Sequence, residues 1–151
     1  MAVRGDFAFV ANSSTGLELF DLSDPTHPQK VRTIPGTPGA WDIHHLGDRL
    51  YLGCHHFGVR ILDVSDPSDP RVMGSFDDGG EAYGAFALGN SLYVADLQDG
   101  VEVLDISSPG NPTLVMWDRH YHPHDLFSDG RYLYLADQDA HFVVLPLDLS
   151  E

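Results

Sequence analysis

Three histidines recur at every second position of one short segment, "RHYHPHD" at residues 119–125. Alternate residues of an extended chain point to the same side, so the imidazoles of His120, His122 and His124 could face one point. Imidazole is a common ligand of zinc and similar divalent metals. Two interpretations are open, a metal site or histidine rings that lie side by side in water, and the position of the segment in the fold decides between them.

Composition places the chain in the class of single globular domains. It has 151 residues, of which 42% are hydrophobic, enough for a substantial core. No apolar run approaches the ~20 residues that cross a bilayer, and "MAVRGDFAFV" lacks the pattern of a signal peptide. We therefore expect no direct membrane insertion. The formal net charge of −15, with eight Lys and Arg, also disfavours binding to nucleic acid.

One sequence unit occurs four times along the chain. Asp21, Asp63 and Asp105 lie 42 residues apart, in "LFDLSDPTHP", "ILDVSDPSDP" and "VLDISSPGNP". A second block keeps almost the same period, with "GDFAFVAN", "GDRLYLGC", "GNSLYVAD" and "GRYLYLAD" beginning at positions 5, 47, 89 and 130. A period in the forties is typical of a propeller or a solenoid.

Within each unit, the hydrophobic pattern is that of short strands. The second unit contains "WDIHHL", "RLYLGC", "VRILDV" and "RVMGSF", separated by Gly and Asp-Pro turns. Four antiparallel strands form the blade of a β-propeller. We predict an all-β chain, one β-propeller domain of 151 residues, with repeats of ~42 residues at approximately 1–39, 40–81, 82–122 and 123–151.

Aligned aromatic residues predict the contacts between blades. Tyr51, Tyr93 and Tyr134 occupy the second strand of their units, where the first unit has Phe9. We expect these side chains to be buried between blades, with the hydroxyl groups hydrogen-bonded.

The repeated segments resemble those of the LVIVD-repeat propellers. The resemblance rests on "LELFDLSDPTHP", "VRILDVSDPSDP" and "VEVLDISSPGNP", and on "LYVAD" and "LYLAD", and it covers essentially the whole chain. It implies a propeller of a kind often found in surface or exported prokaryotic proteins, hence an extracytoplasmic or cell-surface location, with no single established activity. The last copy departs from the motif, because Pro146 replaces its aspartate.

Both terminal units are incomplete in sequence. Alignment of Gly5 with Gly47 sets Met1 against Ile43, inside an inner strand, and the last unit stops before a fourth strand. An open arc of blades exposes apolar faces, which soluble monomers rarely tolerate. We therefore expect the chain to pack against the rest of a larger propeller, with self-association and compact four-bladed closure as alternatives.

The order of strands places the loops between strands two and three, and those between units, at one end of the propeller, the top face. The Asp-Pro turns with His27 lie at the opposite end and have a structural explanation. The top loops vary between copies, as binding loops on a repeated scaffold do. The candidate ligand-binding residues are Trp41, Tyr83, Glu81 and His124.

The histidines of the top face suggest two metal sites. His122, His124 and His141 belong to one unit and form the first candidate set; His55, His56 and Cys54 form the second. The alternative for His124 is a channel-lining ring, since it aligns with Trp41 and Tyr83. The sequence requires no cofactor, and a divalent transition metal is the class for which it offers ligands.

The sequence identifies no catalytic residue, because it has no Gly-x-Ser-x-Gly elbow and no phosphate-binding glycine loop. It favours a binding or scaffold module that recognises a protein, peptide or glycan through the top face. The alternative is a metal-dependent oxidoreductase or hydrolase with a histidine site at the channel mouth.

Overall fold

The computed structural model describes residues 1–147, which form four antiparallel sheets. The first sheet contains β1 (Ala2–Arg4), β2 (Phe7–Asn12), β3 (Gly16–Asp21) and β4 (Gln29–Thr33). The second contains β5 (Asp42–Leu46), β6 (Arg49–Gly53), β7 (Val59–Asp63) and β8 (Arg71–Phe76). The third contains β9 (Gly84–Leu88), β10 (Ser91–Asp96), β11 (Gly100–Asp105) and β12 (Thr113–Asp118). The fourth contains β13 (Pro123–Ser128), β14 (Tyr132–Asp137) and β15 (His141–Pro146).

The recurring aspartate of each motif closes the turn after the third strand of a sheet. The carboxylates of Asp21, Asp63 and Asp105 each accept a hydrogen bond from the backbone N–H two residues later, at 2.7–2.8 Å. This Asx geometry explains the repeated residue without a ligand. Within residues 1–147, no helix is long and apolar enough to cross a membrane.

Successive sheets stack face to face, and three apolar clusters fill the spaces between them. Because side chains alternate along a strand, Leu52 packs toward the first sheet and its neighbour Tyr51 toward the third. The first strands of successive sheets also contact one another, β1 with β5, β5 with β9, and β9 with β13. The sheets are therefore consecutive blades of a β-propeller, as the sequence predicts.

The predicted burial of the aligned aromatic residues is confirmed for the first three blades. Phe9 is 0% exposed, Tyr51 1% and Tyr93 6%. Tyr134 is only half-buried, because no described sheet covers the outward face of β13–β15. The predicted hydroxyl bond is found within the described residues for Tyr134 alone, which donates to Asp129 at 2.9 Å.

The fourth sheet has three strands within residues 1–147, as the missing motif predicts. Its outward face carries several apolar side chains that no described residue covers, since Phe127 is 57% exposed and Phe142 67%. In the first sheet, the inner strand β1 has only three residues.

Candidate binding site on the top face

The top face is held together by backbone pairing between its loops. His55, in the β6–β7 loop, exchanges backbone hydrogen bonds with Ala82, in the connection between the second and third sheets. Beside the fourth sheet, the backbone carbonyl of His122 accepts a hydrogen bond from the backbone N–H of Gln138. The loops therefore form one surface at the end of the blades where the sequence places it.

Tyr83 is the centre of an aromatic group drawn from three blades. Its ring meets Trp41 edge-on, with ring centroids 5.5 Å apart, and His124 at 5.3 Å. The hydroxyl group lies 2.8 Å from Nε2 of His55. Three of the four ligand-binding candidates, Trp41, Tyr83 and His124, are thus neighbours, and Trp41 remains 54% exposed.

Two aspartates accompany these rings around a depression of about 310 Å³. It is lined by Trp41, Asp42, Tyr83, His124 and Asp125. Asp42 accepts a hydrogen bond from the backbone N–H of Ala85 at 3.2 Å, and burial, with the charge of Asp42, raises the pKa of Asp125. Within residues 1–147 neither carboxylate forms an ion pair with a basic side chain. The depression therefore combines aromatic surface with uncompensated negative charge.

Glu81, the fourth candidate, lies beside the two histidines of the β6–β7 loop. Its carboxylate is 3.9 Å from Nε2 of His55 and 3.4 Å from Nδ1 of His56. One ligand atom from each of these three residues lies within 4.8 Å of the others, a spacing that suits a metal ion. His55 has φ of 51°, a left-handed conformation that is uncommon for a residue with a side chain.

The structure corrects the place of Cys54 in this group. Cys54 is fully buried and packs in the core between the first and second sheets, on the opposite side of the strand from Tyr51. Burial raises the pKa of its thiol to about 12, so the thiolate that binds metals is strongly disfavoured. The carboxylate of Glu81 stands where the sequence suggested a sulfur ligand.

His122, His124 and His141 do not form a comparable ligand group among the described residues. His122 lies 2.7 Å from Asp139, His124 packs on Tyr83, and His141 is exposed at the start of β15. The register of β13 shifts between Pro123 and Asp125, which breaks the alternation that would have aligned the imidazoles. Metal binding by these three residues stays a prediction.

The two aspartates of the depression were missed in the sequence, although a signal for them exists. Asp42 follows Trp41 and Asp125 follows His124, so aromatic-acid pairs occur at aligned positions in the second and fourth units, whereas the third unit has Gly84 after Tyr83. Comparison of residue pairs between units, rather than of single residues, would have indicated them.

These blades and variable top loops define a repeat module of the β-propeller type. The family model for the LVIVD repeat matches residues 1–34, 39–78, 79–117 and 124–151, and the chain belongs to this family. No curated protein matches the sequence.

Two solved structures show the same fold at low sequence identity. The computationally designed Ika4 protein is 11% identical with a TM-score of 0.75, over 96% of this chain and 88% of that one. The computationally designed Ika8 protein is 12% identical with a TM-score of 0.74, over 99% of this chain and 46% of that one.

Proposed function

We propose that this repeat scaffold binds a basic segment of a protein or peptide, with a Lys or Arg side chain in the depression beside Trp41 and Tyr83. The observation that carries the proposal is the pair of carboxylates, Asp42 and Asp125, which line one depression with an exposed tryptophan. A cationic side chain can form ion pairs with the carboxylates while it packs against the aromatic faces.

Charge supports a cationic ligand over a neutral one. The chain carries a net charge of −15, which attracts basic partners and repels acidic ones before contact. Burial raises the pKa of Asp125, so the ionised carboxylate is destabilised in the free protein. A bound cation relieves that cost, whereas a neutral glycan offers stacking and hydrogen bonds without compensating the charge.

The test is calorimetry with short peptides that carry one Lys or Arg, and with matched peptides that carry norleucine or glutamine at that position. We expect binding of the basic peptides to weaken as salt is added. Asp125→Asn should reduce affinity about tenfold or more, since hydrogen bonds to charged groups contribute about 1.5–3 kcal/mol. Trp41→Ala should also weaken binding.

The matched control is Trp117→Ala. Trp117 is 57% exposed on the outer strand β12 and does not line the depression, so its replacement should leave peptide affinity unchanged. Equal affinity for basic and neutral peptides, or affinity that survives Trp41→Ala, would contradict the proposal. Binding of oligosaccharides without any binding of basic peptides would assign the depression to glycans instead.

A metal-dependent enzyme is the second candidate function, and one observation favours it. The group of His55, His56 and Glu81 offers two nitrogen ligands and one oxygen ligand, the set found in several catalytic zinc sites. Metal analysis of the purified protein, followed by a zinc titration of the wild type and of Glu81→Gln, tests this site. Absence of bound metal in both experiments would reject the second candidate.

A further inference from the structure

Three carboxylates meet between the second and third blades, outside the depression. Asp78 lies in the β8–β9 loop, Asp96 at the end of β10, and Glu102 in β11. An oxygen from each lies within 4.8 Å of the others. Asp78 is exposed, whereas Asp96 is 2% and Glu102 3% exposed, so two of the three acids are buried.

No N–H or hydroxyl group in the part of the chain that the structure describes donates to Glu102, whose side-chain hydrogen bond is with the carboxyl group of Asp78 inside the cluster. The groups that face it are the acids Asp78, Asp96 and Asp99. The nearby cation, Arg119, pairs with Asp99 at 3.0 Å rather than with the cluster. A buried carboxylate normally requires hydrogen bonds or a positive charge, because its desolvation is costly. The carboxylate of Glu102 therefore points into a group of acids that lacks its compensating charge.

The first blade shows the compensated form of the same position. Glu18 lies 84 positions before Glu102 in the sequence, and it is also buried, with 8% of its surface exposed. Its carboxylate accepts hydrogen bonds from Lys30 at 2.7 Å, from the hydroxyl of Thr15 at 2.7 Å, and from the side-chain amide of Asn12 at 3.5 Å. These donors hold the pKa of Glu18 below its usual value.

Each of those donors is replaced in the third blade. The position of Lys30 is taken by Leu114, that of Thr15 by Asp99, and that of Asn12 by Asp96. The change removes one positive charge and adds two negative ones around a glutamate that stays in place. The described residues of the third blade do not supply the compensation that Lys30 supplies in the first.

We propose that Asp78, Asp96 and Glu102 bind a hard divalent cation of the calcium type. Calcium takes oxygen ligands at about 2.3–2.6 Å in flexible geometry, so two ligands of one ion lie up to about 5 Å apart. The observed spacing falls within this limit. A ligand set made only of carboxylates suits calcium, magnesium or manganese rather than zinc or copper. The bound ion joins the β8–β9 loop to the third blade.

Protons are the competing occupants of the cluster. Burial, with the neighbouring acids, raises the pKa of Glu102 to about 9 and that of Asp96 to about 6. Near neutral pH without a cation, Glu102 is therefore protonated and is hydrogen-bonded to Asp78. A divalent ion must displace that proton, so calcium affinity rises with pH and binding releases protons to the buffer.

The experiment is calorimetry of the chelator-treated full chain with calcium chloride, at two pH values and in two buffers of different ionisation enthalpy. We expect binding with proton release, and a melting temperature that rises with calcium concentration. Glu102→Gln should weaken calcium binding by at least about tenfold, because even the loss of a residue that hydrogen-bonds to a metal ligand lowers affinity by that much. Asp78→Asn, at an exposed position, should do the same without risk to the fold.

Glu18→Gln is the matched control, because it changes the equivalent glutamate of the first blade. It should retain the calcium affinity of the wild type. An absence of calcium, magnesium and manganese binding at millimolar concentration would overturn the proposal and leave a proton as the occupant. Calcium binding that is equal in wild type and Glu102→Gln would overturn it as well. Neither outcome depends on the peptide depression, which shares no carboxylate with this cluster.

Discussion

Replacement of Tyr51 by alanine tests the packing of blades directly. The side chain is 1% exposed and packs against the third blade. A tyrosine buries about 150–250 Å², which at about 25 cal/mol per Å² corresponds to about 4–6 kcal/mol as an upper estimate. Truncation of buried aromatic residues costs about 3–5 kcal/mol, so we expect a loss in that range. For a domain of this size the melting temperature should fall by about 6–20 °C.

Tyr134→Ala is the control at the equivalent position of the fourth blade. Tyr134 is half-buried on an uncovered face, so solvent replaces the lost ring and no cavity remains. We expect a cost of about 1–2 kcal/mol, which includes its hydroxyl bond to Asp129. Urea unfolding at low protein concentration measures both variants. Equal costs would refute the argument that a neighbouring blade covers Tyr51 but not Tyr134.

Three further measurements address charge, assembly and metal. Without divalent cations, the folded state retains the proton of Glu102, whereas the unfolded state releases it above about pH 4.5. The free energy of unfolding should therefore fall as pH rises from 4.5 to about 9. Glu102→Gln should flatten this slope in urea titrations. Light scattering at micromolar concentration should show self-association, and Phe142→Ser should reduce it by removing an exposed ring from the open face; a monomeric wild type would contradict this. Zinc affinity should be lost in His56→Ala and unchanged in His27→Ala. Loss in His124→Ala instead would favour the histidines of the fourth blade.

The fold was predictable because each repeat contains its own turn and strand signals. The period of 42 residues, the aspartate turns and the alternating strands recur, so the same inference is supported several times. Exceptions to the predicted burial occur in the last unit, where the repetition ends. Tyr134 matches Tyr51 in sequence, but its burial depends on a further blade that no pattern within the unit specifies.

The candidate site was only partly predictable, because side-chain direction depends on local register. Trp41, Tyr83 and His124 occupy regular positions ahead of the inner strands, and the structure brings them together. The shift after Pro123 separates the imidazoles that alternation would align. Cys54, adjacent to His55 in sequence, packs in the core, whereas His55 has a left-handed conformation and lies in the top loop.

Aligned acidic residues in different blades show which negative charges the fold itself does not require. Asp137, in the fourth blade, aligns with Asp96 and is also buried, but it accepts hydrogen bonds from the backbone N–H groups of His122, Asp139 and Ala140. Although burial alone would raise its pKa, these donors lower it. Asp96 accepts one backbone hydrogen bond, from Glu81, and its pKa is raised. The chain's own donors therefore stabilise the carboxylate of Asp137 in the fourth blade, whereas Asp96 in the third blade requires an added cation or proton.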